Sequence, residues 1–155
     1  HPLFGWDHVL VMVAVGIWAA MIGGRALWIV PTAFVAMMGL GFAMAVTGFP
    51  LPFVEPVILA SVVAVGLLIA AAVRLRVPSA AALVGAFALF HGSAHGAELG
   101  SAGALSFGLG FVLATAGLHL VGIGLGVGLS RIGSPLLVRA LGAASAVAGL
   151  YLMAA

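Results

Sequence analysis

The side chains able to do chemistry in this sequence are few and clustered. His1, Asp7 and His8 open the first apolar segment, His91, His95 and Glu98 close the fourth, and His119 stands alone in the fifth. The spacing i, i+4, i+7 puts His91, His95 and Glu98 on one helical face. Imidazoles beside carboxylates suit a divalent transition-metal ion. Imidazole serves Ni, Cu, Zn and Fe, and carboxylates add hard oxygen and charge. Asp7 and Glu98 would offset the two charges of such an ion. His91 and Glu98 are about 10 Å apart along a helix axis, whereas metal–ligand bonds are about 2 Å. One ion would therefore use two neighbours on this face plus ligands from the first segment. Glu98 then becomes a rim attractor or a ligand of a second position. Counted from the segment ends, His8 falls at nearly the depth of His95, and Met12, one turn deeper, at that of His91.

Each of these residues has a plainer reading. Histidines in membrane helices also act as hydrogen-bonding glue. That role comes first for His119, about 21 Å along its helix from Leu105, with a second metal station beside Thr115 as the functional alternative. Glue alone does not call for carboxylates beside imidazoles in the larger constellation. Glu55, next to Pro56, reads as a solvated loop residue. Ser93 lies on a different face from the histidines, which argues against a nucleophile. Gly92 and Gly96 read as a close approach to the first helix.

The elements that must hold these residues follow from composition. Of 155 residues, 65% are hydrophobic and 5% are charged: five Arg, no Lys, one Asp and two Glu. Soluble domains carry about 25% charged residues, so a soluble enzyme, a disordered chain and a nucleic-acid binder are excluded. There is no Cys, which removes disulfides and thiolate metal sites. Apolar runs such as Val9 to Ala20 do not alternate as barrel strands do. The length suits six helices of roughly 20 residues each. The expected fold is all-α: a polytopic membrane protein forming a single six-helix transmembrane domain over residues 1–155. Breaks at Gly, Pro and the charges predict helices at Leu3–Ile22, Leu27–Val46, after Pro56 to near Val73, Ser79–Ala97, Leu105–Gly128 and Pro135–Met153.

Charge sets the orientation. Arg25, Arg74, Arg76, Arg131 and Arg139 all fall on one side, and Asp7, Glu55 and Glu98 on the other. The positive-inside rule makes the Arg side cytoplasmic, so both termini face outward, into the periplasm. Trp28 marks the inner interface, and Trp6 and Tyr151 the outer one. An outward start at His1 predicts a secretory signal peptide removed upstream. Gly122, Gly124, Gly126 and Gly128 in the fifth helix, with Gly142, Ala146 and Gly149 in the sixth, suit close helix packing. Three helices plus three would allow an inverted repeat, but no sequence match between the halves is visible.

Two stretches resemble a known family. His1-Pro2-Leu3-Phe4-Gly5-Trp6-Asp7-His8 resembles the H-x5-D-H signature of the HupE/UreJ nickel permeases. Phe90-His91-Gly92-Ser93-Ala94-His95-Gly96-Ala97-Glu98 resembles their second signature, F-H-G-x-A-H-G-x-E. The resemblance extends to chain size and helix number. It implies a multi-pass bacterial inner-membrane protein linked to hydrogenase or urease systems, not an enzyme, carrying Ni²⁺, with Co²⁺ as an alternative. The substrate ion and the lipid bilayer are the implied partners. No organic cofactor is implied, and a homo-oligomer is compatible. The signature residues match His1, Asp7, His8, His91, His95 and Glu98; His119 lies outside both signatures.

The resulting expectation is stepwise passage from the outer mouth. Asp7 and Glu98 attract the ion, His8 and His95 (with His1) strip water, and His91 marks the deep end. Met12, Thr115 and His119 continue the path inward. No phosphate-binding loop of the G-x-x-x-x-G-K-[ST] type is present, so passage is facilitated or secondary. Acidification to about pH 6 releases metal from imidazole. An intramembrane zinc hydrolase and a non-transporting metal sensor or chaperone are the alternatives.

Overall fold

A computed structural model describes residues 5–99 and 103–155. It contains six helices: α1 (Trp6–Ile22), α2 (Ala26–Val46), α3 (Val54–Ala70), α4 (Val77–Ala97), α5 (Ala104–Arg131) and α6 (Pro135–Ala154). Four of them, α2, α4, α5 and α6, are long and apolar enough to cross a membrane. The other two, α1 and α3, are apolar helices of 17 residues each, at the lower end of what a bilayer core requires.

Several boundaries differ from expectation for identifiable reasons. Helix α3 starts at Val54, before Pro56, and α4 at Val77, before Pro78. Proline in a first turn lacks only a donor that would have no helical partner anyway. Helix α3 stops at Ala70 rather than Val73, because Ala72 turns into the left-handed region. Helix α5 runs on to Arg131. The tight α1–α2 turn falls at Gly23 and Gly24, both with positive φ, a conformation that costs glycine little.

The bundle is turned inside out relative to a soluble protein. Large apolar side chains such as Leu105, Leu109, Leu113 and Leu120 of α5 face outward, as do Trp6, Trp28 and Tyr151. The same helix buries Phe111, Thr115, His119, Gly122 and Gly126 on its inner face. An apolar exterior around a polar-containing interior is what hydrocarbon solvent favours. The chain is thus a membrane protein.

Three close helix pairs form the scaffold: α1 with α5, α2 with α4, and α3 with α6. At the first, a Cβ on Gly16 or Gly122 would strike the partner's backbone; at the third, one on Gly66 or Gly142 would do the same. Gly92 and Gly96 face Met38, Phe42 and Ala45 of α2, not α1 as the sequence suggested. Gly124 and Gly128 face open space, so only alternate glycines of that run serve packing. Helices α1 and α4 barely touch along their length; they meet through side chains.

Candidate metal site

The side chains through which α1 and α4 meet are the expected ones. The His8 ring stands 4.8 Å from that of His91 and 4.7 Å from that of His95, centroid to centroid. His8 therefore sits between the two α4 imidazoles, whereas the depth estimate puts it level with His95 alone. The i, i+4 spacing on α4 and the start of α1 at Trp6 bring them to one level. Phe111 of α5 packs on His95, and Phe34 of α2 packs on His91. His91 and His95 are buried.

Hydrogen bonds assign the tautomers of two rings. A carboxylate only accepts, so His8 Nδ1–H donates to Asp7 Oδ1 at 3.0 Å. The Asp7 oxygen also accepts the His8 backbone N–H at 2.9 Å. Ser61 Oγ–H donates to the Ile58 carbonyl at 2.6 Å, which leaves its oxygen to accept from His91 Nε2–H at 3.0 Å. In the neutral rings the opposite nitrogens, His8 Nε2 and His91 Nδ1, carry the lone pairs. Both are buried, with no hydrogen-bond partner among the described residues. Holding one nitrogen's proton so that the other can ligate is the usual support of a metal-binding histidine. Both ring nitrogens of His95 likewise lack a hydrogen bond, and its Nδ1 lies 3.7 Å from Glu98 Oε2.

Above the imidazoles lies a cavity of about 200 Å³ lined by Gly5, Asp7, His8, Glu55, His95 and Glu98, with Ala94. All three acids of the chain thus share one mouth. Glu55 is a correction: it stands in the first turn of α3 and lines this cavity rather than only solvating a loop. A Cβ on Gly5 would come within 2.8 Å of Asp7 Oδ1, so a larger residue there would displace the Asp7 carboxylate.

The remaining expected residues fall as follows. His1 lies outside the described residues. Met12, Thr115 and His119 are buried deeper, where Thr115 Oγ1 lies 3.4 Å from Met12 Sδ. Ser93 faces away from the imidazoles, and its Oγ accepts the Leu51 backbone N–H at 3.0 Å, tying the α2–α3 loop to α4. Among the described residues, no three His, Asp or Glu side chains are arranged to hold one ion. The imidazoles meet ring against ring. Ser61 and Phe34 touch the His91 ring, and sequence reasoning missed both. Ser61 looks like an ordinary packing residue within an apolar run, and no spacing marks it.

The fold and this mouth define a class: a helical membrane protein with an acidic vestibule over buried histidines. The chain belongs to the HupE/UreJ family, whose model ("HupE / UreJ protein") matches residues 1–152. Among curated relatives it is similar to Protein HupE of Rhizobium leguminosarum bv. viciae. The two are 45% identical over 154 residues, covering 99% of this chain and 81% of the relative. No solved structure matches.

Proposed function

We propose that this chain is a bacterial inner-membrane permease for a divalent transition-metal ion, Ni²⁺ first and Co²⁺ as the alternative. The family is associated with nickel or cobalt transport or accessory function, which favours these ions over the Cu²⁺ that bare affinity would select. In this reading all six helices cross the bilayer. The Arg-bearing ends are cytoplasmic, and both termini face the periplasm.

One observation carries the reading: His8 Nε2 and His91 Nδ1 are buried ring nitrogens without a hydrogen-bond partner among the described residues, beneath a mouth lined by three carboxylates. Unpaired polar atoms in a buried site are costly, and a cation is the partner that this mouth attracts. The ion gathers at Asp7, Glu55 and Glu98, exchanges water for imidazole at His8 and His95, and reaches His91. The absence of a closed ligand set among the described residues suits transport, since an ion must leave as well as enter. Passage runs down the electrochemical gradient or is coupled to it.

Equilibrium binding of nickel-63 to the protein in nanodiscs tests the site. Saturable binding should weaken in His8→Ala and His91→Ala variants that remain folded by circular dichroism. Wild-type binding in both would remove the site assignment.

A further inference from the structure

The close helix pairs repeat one another. A Cβ on Gly16 of α1 would meet the His119 carbonyl oxygen and the Ile123 amide nitrogen of α5. A Cβ on Gly92 of α4 would meet the Met38 carbonyl oxygen and the Phe42 amide nitrogen of α2. Gly122 faces the Val13 carbonyl, and Gly41 faces that of Leu89. One constant offset carries Val13 to Leu89, Gly16 to Gly92 and Gly66 to Gly142, the last two facing each other across α3 and α6. A second constant offset carries Met38 to His119, Gly41 to Gly122 and Phe42 to Ile123. Helices α1–α2–α3 thus correspond to α4–α5–α6, although the sequences do not align visibly. Along the α1–α5 and α2–α4 contacts residue numbers rise together, and along α3–α6 they run oppositely. With six alternating crossings, the second half is the first half inverted.

Inverted repeats place their substrate site near the bilayer midplane, where the halves meet. Here the second offset pairs Met38 with His119 and Phe34 with Thr115. Thr115 Oγ1 lies 3.4 Å from Met12 Sδ and 3.6 Å from Met38 Sδ, and thioether sulfurs are weak acceptors for a buried hydroxyl. His119, one turn along the same face of α5, is 1% exposed, and both its ring nitrogens lack a hydrogen-bond partner among the described residues. Its ring packs on Phe34 at 5.1 Å, and Phe34 packs on His91 at 5.6 Å. Packing alone would be served by an apolar side chain, without the cost of a buried, unpaired imidazole. Imidazole and thioether together are ligands for a borderline or soft transition-metal ion.

We propose that Met12, Met38, Thr115 and His119 form a second transition-metal site at the midplane. This is the site exposed in turn to each side, while the His8–His91–His95 group is the outer, loading site. The inference rests on the transport reading. Met12→Leu and Met38→Leu conserve volume, so the double variant tests it without opening a cavity. In proteoliposomes, nickel-63 uptake by this variant should fall at least about tenfold, while its tighter Ni²⁺ binding in nanodiscs stays within about threefold of wild type. Nickel-edge X-ray absorption of protein loaded with two equivalents of Ni²⁺ should show a sulfur shell that the variant lacks. Unchanged uptake, or no sulfur shell in the wild type, overturns the midplane site and leaves the outer one standing. If the wild type itself moves no nickel, the transport reading fails and the midplane site fails with it.

Discussion

The two ends of the bundle each hold a cavity, and the cavities differ in charge and in depth of access. At one end Asp7, Glu55 and Glu98 line about 200 Å³ that leads directly onto His8 and His95. At the other, Arg74 and Arg139 line about 230 Å³ with Ser130, Met21 and Gly126. Arg139 Nε donates to the Ala70 carbonyl at 2.7 Å, bridging α6 to α3. Trp18, fully buried, donates its Nε1–H to the Val73 carbonyl at 2.8 Å and fills the interior near this end. The first end presents carboxylates and imidazoles, and the second presents guanidinium groups and an indole. The asymmetry fits the proposed loading from the acidic mouth, with the arginine end closed. Inverted halves with such unlike ends imply that chemistry was specialised on a symmetric frame. Helix α4 carries two imidazoles where the same offset gives Val15 and Ala19 on α1.

Substitutions at the two ends should separate sharply. The largest effect is expected for His91→Ala combined with His95→Ala, which removes both α4 imidazoles. Its Ni²⁺ affinity, measured by calorimetry in nanodiscs, should fall further than the roughly 10–100-fold that loss of a supporting residue costs. Next come the residues that fix the ring protons. Asp7→Asn and Ser61→Ala should each raise the Kd by about 10–100-fold with the helical content unchanged; an unaltered Kd would mean that the tautomers are set otherwise. Glu55→Gln should slow uptake a few-fold at low ionic strength and scarcely at all at high salt, because a rim charge acts by steering. Arg74→Gln, at the far end, should not slow loading at either salt concentration. The smallest effect belongs to Ser93→Ala. It should cost about 1 kcal/mol of stability by thermal denaturation and leave the Kd alone.

The meeting of the scarce ionisable side chains of α1 and α4 was legible in sequence because charge is so scarce in this chain. Against an apolar background, His91, His95 and Glu98 declare a helix face by spacing alone, and the depth of His8 follows from helical rise. The helix count and most boundaries were legible for the same reason, since Gly, Pro and Arg punctuate the apolar runs. What sequence could not show were relations between helices. Gly92 and Gly96 announce a close approach but not its partner, which is α2. Glu55 is silent until the start of α3 brings it to the mouth. Ser61 and Met38 carry no periodic signal that separates them from packing residues. The correspondence of the halves is invisible in sequence because it lies in which backbone atoms touch, not in which side chains recur.

The central claim is that metal crosses the membrane through the imidazole group below the acidic mouth. Nickel-63 uptake into proteoliposomes holding a trapped chelator tests it most directly, with wild type and the His91→Ala, His95→Ala double variant reconstituted at equal density. The account predicts saturable uptake by the wild type and only background flux through the variant. Equal, saturable uptake by both would contradict it.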